Sequence, residues 1–204
     1  MKICSIICGA PCGKLPAELV EGLVIAADRG LDHCLKAGIT PHYAVGDFDS
    51  ARSTVPEGVE RISAPAEKDD TDTGLAVNIG IEHGCEEFRL FSALGGRLDH
   101  TIACIQTLFS IRRNGKKGVL YGDGCEALLA INETVIVPRF SGYLSVFAFD
   151  SEAVVSIRGA KYCVEDYILK NSYPIGVSNE VAADFAEIDA RGGAVLIVKQ
   201  DFDD

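Results

Sequence analysis

Residues 87–100 have the sequence EFRLFSALGGRLDH, and this stretch decides the fold of the chain. Its first five residues are rich in aromatic and aliphatic side chains and have the length of a short β-strand, whereas the residues from Asp99 onwards have the pattern of an α-helix. Gly95 and Gly96 lie between them, where they allow a tight turn and a close backbone approach to a ligand. The stretch therefore predicts a strand, a glycine-rich turn and a helix, which is the unit of an α/β fold.

The same alternation extends over the first 123 residues. Short apolar runs predict strands, and amphipathic segments between them predict helices. The predicted strands are residues 3–8, 23–27, 43–45, 59–62, 87–91 and 118–121, and the predicted helices are residues 31–37, 71–82 and 99–112. Because strands that alternate with helices form parallel sheets, residues 1–123 are predicted to be a Rossmann-like α/β domain with a mostly parallel sheet.

The pattern changes after Asp123, where long helical segments end. Runs of β-branched and aromatic residues predict strands, and Asn, Ser and Gly between them predict turns. The runs are residues 135–137, 143–149, 154–157, 183–188 and 194–198, and the turn signals are residues 132–133, 141–142 and 191–193. Residues 124–204 are therefore predicted to form a second domain, a small antiparallel β-sandwich or barrel.

Composition narrows the class of protein. The chain has 204 residues, of which 48% are hydrophobic, and a formal net charge of −11. This charge opposes binding to nucleic acid or to an anionic membrane, because the surface repels phosphate groups. No apolar run is long enough to span a bilayer and the first residues lack a signal-peptide pattern, so we expect a cytoplasmic protein. The eight cysteines include no C-x-x-C pair and are expected to fill the core.

Three acidic clusters follow predicted strands: residues 46–50 (GDFDS), 68–73 (KDDTDT) and 95–100 (GGRLDH). Ligands of open parallel sheets bind beyond the carboxyl ends of the strands, so the clusters are expected to share one edge. Carboxylates brought together repel one another unless a cation lies between them. Mg²⁺ suits such a site, since it takes one or two carboxylates and leaves positions for phosphate oxygens. The clusters therefore predict a magnesium and phosphate site.

Each cluster also has a purely structural interpretation. Asp47 and Asp49 could form an acidic turn instead of binding a ligand. Asp69, Asp70 and Asp72 stand at a predicted helix start, where the helix dipole favours negative charge and Asp or Thr can cap the helix. Asp99 could likewise cap the next helix or complete a metal site, and His100 could be a structural hydrogen-bonding residue or an acid or base.

The order and spacing of these motifs resemble the thiamine pyrophosphokinase (thiamine diphosphokinase) family. Residues 28–30 (DRG) are similar to the Asp-Gly-Gly turn of that family, and the three acidic clusters are similar to its catalytic-domain signatures. In the second half, residues 159–162 (GAKY) resemble a Gly-Leu-Lys-Tyr/Trp element. Residues 178–180 (SNE) resemble a Ser-Asn segment associated with thiamine.

The resemblance implies an α/β nucleotide-binding domain, a C-terminal β-sandwich and a homodimer that holds thiamine between its subunits. It also implies transfer of the diphosphoryl group of ATP to the thiamine hydroxyl, giving AMP and thiamine diphosphate with Mg²⁺. The implied catalytic residues are Asp47, Asp49, Asp69, Asp72, Asp99 and Arg97, and the five aspartates are also the implied metal ligands. Nucleotide binding is implied for Asp28, Gly30, Lys68, Thr73, Gly95, Gly96, Arg97 and His100, and thiamine binding for Ser178 and Asn179.

Two other functions remain open from the residues alone. Clustered aspartates beside an Asp-His pair could activate water in a metal-dependent phosphoesterase that acts on nucleotides or small phosphate esters. A nonenzymatic sensor of thiamine or nucleotide could keep the fold without turnover. A second domain able to hold an acceptor favours the transferase over the hydrolase.

Overall fold

The structure, a computed structural model, describes residues 1–47, 53–63 and 71–202. The chain divides into two compact units, Met1–Asp123 and Gly124–Asp204. None of the helices in the described ranges is both long enough and apolar enough to cross a membrane. The two units are of different fold class, the first α/β and the second antiparallel β.

The first unit is a parallel sheet with crossover helices. Its strands are β1 (Ile3–Ile7), β2 (Leu23–Ala27), β3 (Tyr43–Val45), β4 (Glu60–Ile62), β5 (Glu87–Phe91) and β6 (Lys117–Gly122), and its helices are α1 (Gly30–Lys36), α2 (Asp72–Glu82) and α3 (Leu98–Arg113). The strand order is β6-β5-β1-β2-β3-β4, and every neighbouring pair is parallel. The predicted Rossmann-like parallel sheet is therefore confirmed.

This strand order creates a switch point in the sheet. The chain proceeds from β1 outwards to β4 and then returns to β5, on the opposite side of β1. The connections after β1 and β5 therefore run in opposite directions, which opens a crevice beyond the carboxyl ends of these strands.

Helix α2 illustrates how sequence produces this packing. Thr71 caps the helix, its side chain accepting a hydrogen bond of 3.0 Å from the Gly74 N–H. On the buried face, a Cβ atom at Gly80 would lie 2.6 Å from the Phe88 ring and 2.9 Å from the Cys4 sulfur, so only glycine allows this approach to the sheet. Gly84 follows the helix with a left-handed φ of +70°, as its sequence position predicts.

The second unit is antiparallel throughout. Its strands are β7 (Cys125–Pro138), β8 (Gly142–Ala148), β9 (Glu152–Arg158), β10 (Val164–Lys170) and β11 (Phe185–Asp201). β11 pairs with β7 along most of its length, whereas β9 pairs with its first part and β8 with its last part. An apolar core that includes Val146, Val155 and Ile188 lies among these strands. The unit is the predicted β-sandwich.

Two predicted turns in this unit are wrong. Residues 132–133 and 191–193 do not reverse the chain but lie within β7 and β11, where the pairing register shifts between Ala190 and Ala194. Asn132 has a φ of +50° and Gly192 a φ of +71°, and the Gly192 N–H donates a 3.0 Å hydrogen bond to Asn132 Oδ1. The residues that form turns also form β-bulges, and here the paired strand continues through them.

Strand β10 does not correspond to any of the predicted strands. Leu169 is its only fully buried residue, and the side chains from Glu165 to Ile168 are exposed. A strand with so little burial has no clear alternation of apolar and polar residues. All eight cysteines are free, and five of them are buried as expected, whereas Cys12, Cys125 and Cys163 are not.

Candidate active site

A cavity of about 770 Å³ lies at the carboxyl edge of the parallel sheet. It is lined by residues that follow β1, β2, β3 and β5 and by residues of α2 and α3. These residues are Cys8, Gly9, Ala10, Pro11, Ala27, Asp28, Arg29, Asp47, Thr71, Asp72, Thr73, Ser92, Ala93, Gly95, Gly96, Arg97, His100, Ala103, Cys104 and Thr107. The cavity therefore lies at the switch point of the sheet, where ligands of such folds bind.

Three carboxylates from separate segments line this cavity. Asp28 follows β2 with a left-handed φ of +48°, and its N–H donates a 2.8 Å hydrogen bond to the Val45 carbonyl. A Cβ atom at Gly46 would lie 3.4 Å from both the Asp28 Cα and Asp72 Oδ2, so the Gly46 backbone packs between these residues. Asp47 is the next residue and is exposed. Negative charge thus accumulates on one side of the cavity.

The glycine-rich turn forms another part of the cavity lining. Gly95 and Gly96 have φ values of +99° and +69°, which side-chain-bearing residues rarely adopt. A Cβ atom at Gly96 would also lie 2.5 Å from the Pro11 ring, because the turn packs against the loop that follows β1. Backbone groups of the turn can therefore approach a ligand without side chains in between.

Arg97 forms a two-point ion pair with Asp99. The Arg97 Nε and Nη2 atoms donate hydrogen bonds of 3.1 and 2.6 Å to Asp99 Oδ1 and Oδ2. This hydrogen bonding lowers the pKa of the Asp99 carboxyl and raises the pKa of Arg97. Both side chains are largely exposed, so the pair adds little to stability. Arg97 lines the cavity and Asp99 does not.

The predicted capping roles are resolved for α2 and α3. Thr71, not an aspartate, is the N-cap of α2, and Asp72 lies in the first turn. Arg97 occupies the N-cap position of α3, and Asp99 accepts a 3.0 Å hydrogen bond from the His100 N–H. Asp72 is therefore not the cap of α2, and it lines the cavity.

Most predicted site residues of the first unit meet in this cavity. Asp28, Asp47, Asp72, Thr73, Gly95, Gly96, Arg97 and His100 all line it. Gly30 does not, and it has a packing role instead, since a Cβ atom there would lie 1.8 Å from the Ile7 carbonyl oxygen. Asp49, Lys68 and Asp69 lie outside the described residues.

The aspartates present suit a hard cation. Asp47 and Asp72 place carboxylate-bearing side chains on one cavity, and carboxylate oxygens are the ligands that Mg²⁺ prefers. Among residues 1–47, 53–63 and 71–202, no group of three or more His, Cys, Asp or Glu side chains forms a ready-made metal site. Two protein carboxylates are nevertheless enough when substrate phosphates and water supply the other ligands.

Ser92 also lines the cavity, although it is not among the site residues predicted from the sequence. Its side chain is 3% exposed, its φ is +49°, and its hydroxyl has no hydrogen-bond partner among the described residues. Buried hydroxyls are normally satisfied, so one that borders a cavity indicates a ligand partner. No local sequence pattern identifies Ser92, because serine is common after strands.

The loop after β1 and one face of α3 were also missed. Residues 9–11 (GAP) line the cavity, and Gly and Pro directly after a predicted strand were a usable signal. On α3, His100, Ala103, Cys104 and Thr107 line the cavity at helical spacing. The sequence alone does not show which face of α3 borders the cavity.

The predicted thiamine residues lie in the second unit. Asn179 is 8% exposed, and its side-chain oxygen accepts hydrogen bonds of 3.0 and 2.9 Å from the N–H groups of Tyr162 and Glu180. Its Nδ2 donates a 2.8 Å hydrogen bond to the Tyr162 carbonyl. Ser178 has a φ of +60°, and its N–H donates to Ser145 Oγ. Asn179 therefore holds the backbone of Tyr162, a residue that is 64% exposed.

The site at the switch point of the sheet combines a glycine-rich turn, an arginine and clustered carboxylates, and the chain continues into an antiparallel sandwich. Together these features define a two-domain α/β protein with a ligand site on its sheet edge. The family model described as the catalytic domain of thiamin pyrophosphokinase matches residues 20–120. The model of the vitamin B1 binding domain of thiamin pyrophosphokinase matches residues 132–195. The chain belongs to the thiamin pyrophosphokinase family.

Individual relatives agree with this assignment. The chain is 36% identical over 120 residues to thiamine pyrophosphokinase of Bacillus subtilis, an alignment that covers 53% of this chain and 55% of that protein. The matched part thus spans about half the length of this curated relative.

Solved structures extend the likeness to the whole fold. The crystal structure of the Bacillus subtilis thiamine pyrophosphokinase matches with a TM-score of 0.90 at 23% identity, covering 98% of this chain and 100% of that chain. A thiamin pyrophosphokinase family protein from Enterococcus faecalis matches with a TM-score of 0.84 at 26% identity, covering 100% of both chains. The fold of this chain is therefore that of these solved structures.

Proposed function

We propose that this protein is a thiamine diphosphokinase, which transfers the diphosphoryl group of ATP to the hydroxyl of thiamine and releases AMP. The observation that carries the proposal is the single cavity that collects Asp47, Asp72, Arg97 and the Gly95-Gly96 turn, in a chain with both family domains. These residue types bind and neutralise a polyphosphate, and the second domain supplies a place for an acceptor.

The residues suit attack of the thiamine hydroxyl oxygen on the β-phosphorus of ATP. The bond between the β-phosphorus and the oxygen bridging to the α-phosphorus breaks, and that oxygen leaves on AMP. Negative charge then grows on the transferred group and on AMP, and fixed cationic groups stabilise it. Arg97 lies at the glycine-rich turn and is the first candidate to stabilise this charge, and Lys68 is a second candidate.

Asp47 and Asp72 are the first candidates to hold Mg²⁺, with Asp49, Asp69 and Asp99 as further candidates. The ion would neutralise charge on the phosphate oxygens. Asp99 requires a change of partner to join them, because its two oxygens bond to Arg97. One of these aspartates would instead orient or deprotonate the thiamine hydroxyl.

The rest of the cavity suits the nucleotide. We assign contacts with ATP to Asp28, Thr73, His100 and the backbone of Gly95 and Gly96, and we add the unpartnered hydroxyl of Ser92. Gly30 supports this site through packing of α1 on β1.

Thiamine binding is assigned to the second unit. The exposed Tyr162 ring offers an aromatic face, and the Lys161 ammonium lies 5.9 Å from its centroid. Ser178 and the remaining N–H of Asn179 are candidates to hydrogen-bond the aminopyrimidine. Because Asn179 also fixes the Tyr162 backbone, we expect its main contribution to be the position of that ring.

Residues 1–123 are accordingly proposed as the catalytic domain and residues 124–204 as the thiamine-binding domain of a cytoplasmic homodimer. The second unit has exposed apolar side chains suited to a subunit contact, among them Ile168, Ile175, Val177 and Phe185. A net charge of −11 opposes nucleic acid and anionic membranes as partners.

The decisive assay incubates the protein with ATP and Mg²⁺, with and without thiamine, and resolves the nucleotides and thiamine esters. AMP that appears only with thiamine, in equal amount to thiamine diphosphate, is the expected result. Asp72→Asn should lower this turnover about 100-fold or more, because a transition-state charge partner is lost, while the unfolding free energy stays close to that of the wild type. Hydrolysis of ATP without thiamine would indicate the phosphoesterase, and binding without turnover the sensor.

A further inference from the structure

Two thiols meet on the wall of the cavity. Cys8 directly follows β1 and Cys104 lies on α3, and both residues line the cavity although they are only 4% and 7% exposed. Each thiol shifts the pKa of the other, so the two side chains lie next to each other. The Thr73 hydroxyl donates a 3.8 Å hydrogen bond to the Cys8 sulfur. No step of the proposed phosphate chemistry uses either sulfur.

The environment differs between the two sulfurs. The neighbouring Cys8 thiol lowers the pKa of Cys104, against the opposing effect of burial. The neighbouring Cys104 thiol and then burial raise the pKa of Cys8 well above the ordinary thiol value. Cys104 is therefore the better thiolate, and Cys8 remains a protonated neighbour.

We propose that Cys8 and Cys104 form an oxidisable dithiol, a modification site at which a small hydroperoxide that enters the cavity generates a disulfide between β1 and α3. The Cys104 thiolate attacks one peroxide oxygen, the O–O bond breaks, and with one proton a water leaves, which gives a sulfenic acid. The Cys8 sulfur then attacks the Cys104 sulfur, its proton passes to the leaving hydroxyl, and a second water forms. Overall, the two thiols lose two hydrogens and hydrogen peroxide becomes two waters. An added dithiol reduces the disulfide back to the two thiols.

The chain contains its own control pair. The Cys4 and Cys85 thiols likewise influence each other's pKa, but both are fully buried and neither lines the cavity. Burial raises the pKa of both thiols. The two pairs share sulfur–sulfur proximity and differ in access to the cavity and in thiolate character, so only the Cys8 and Cys104 pair is expected to react.

The test treats the folded full-length protein with hydrogen peroxide, blocks the remaining thiols and maps cross-linked peptides by mass spectrometry. We expect a product lighter by two hydrogens whose cross-link joins Cys8 to Cys104, formed about tenfold or more faster than any link between Cys4 and Cys85. Dithiothreitol should restore the original mass. Formation should accelerate as the pH rises through the Cys104 pKa, because the thiolate is the nucleophile.

Variants check the assigned roles. Cys8→Ser should leave a sulfenic acid on Cys104 that dimedone traps. Cys104→Ser should form neither this sulfenic acid nor a disulfide at Cys8. Cys163→Ser removes an exposed thiol and should change nothing at the cavity. A link from Cys12 to either residue, equal reactivity of both pairs, or no cross-link in the wild-type protein would overturn the proposal.

A consequence for ligand binding depends on the proposed function. If ATP occupies this cavity, saturating ATP with Mg²⁺ should slow the cross-link, and the oxidised protein should bind ATP at least about tenfold more weakly, since the disulfide crosses the cavity wall. The peptide map requires no activity, so failure of the disulfide and failure of the kinase assignment give separate results.

Discussion

Ser92 combines two unfavourable features at one residue. Its left-handed φ of +49° costs about 1–2 kcal/mol for a residue with a Cβ atom. Its buried hydroxyl also has no partner among the described residues, although it borders the cavity. Such features concentrate at functional sites, where a ligand compensates for them. We infer that the hydroxyl contributes to binding of the nucleotide.

This inference predicts a separation of stability from affinity. Ser92→Gly should raise the KM for ATP about tenfold, because a hydrogen bond from a buried site is lost. Ser92→Ala should raise it equally, and it serves as the matched control because it keeps a Cβ atom. Denaturant unfolding should place the glycine variant about 1 kcal/mol above the alanine variant in stability, since only glycine relieves the backbone. An unchanged KM in both variants would remove Ser92 from the site.

At the scale of elements, the start of α1 packs directly on the end of β1. A Cβ atom at Gly30 would lie 1.8 Å from the Ile7 carbonyl oxygen and 2.6 Å from the Ile7 carbonyl carbon. Backbone atoms cannot rotate away as a side chain can. Helix and strand must therefore separate if any larger residue replaces Gly30, and the loops after β1 and β2 that line the cavity move with them.

Gly30→Ala should accordingly lower the free energy of unfolding by about 3 kcal/mol, as an overpacked contact does. Gly38→Ala is the control, since Gly38 has a φ of +72° but no atom within 4 Å of its would-be Cβ. Backbone strain alone should lower the free energy of unfolding of the Gly38→Ala variant by about 1 kcal/mol. Denaturant unfolding of both full-length variants checks this, and equal losses would show that the contact with β1 is not the reason for glycine.

At the scale of the whole molecule, the two units carry different parts of the proposed reaction. The phosphate-binding residue types lie in Met1–Asp123, whereas the exposed Tyr162 and the Ser178-Asn179 segment lie in Gly124–Asp204. Substitutions in one unit should therefore affect one substrate and leave the other unaffected.

Tyr162→Ala tests this division. It should raise the KM for thiamine about tenfold through loss of an aromatic contact, and leave the KM for ATP unchanged. Tyr173→Ala is a matched control, because Tyr173 is 62% exposed in the same unit and Tyr162 is 64% exposed. If both KM values shift together, or if both tyrosines have the same effect, the assignment of thiamine to the Tyr162 surface is wrong.

The sequence predicted the first unit better than the second. Strands such as Leu23–Ala27 and Glu87–Phe91 were predicted to the residue, because short apolar runs between helical patterns leave little ambiguity. Around Asn132 and Gly192 the same residues favour both a turn and a bulge. Only the partner strand decides between the two, and a single sequence does not identify that partner.

The sequence by itself determined the order of strands and helices and placed carboxylates, glycines and Arg97 after strands, because these properties depend on near neighbours in the chain. Tertiary structure decided which of them share a cavity. The order β6-β5-β1-β2-β3-β4 brings Asp28, Asp47, Asp72 and the Gly95-Gly96 turn to one crevice, and it places Cys8, Cys104 and Ser92 on the lining of the same cavity. Those contacts arise from long-range strand pairing, which periodicity and residue type do not encode.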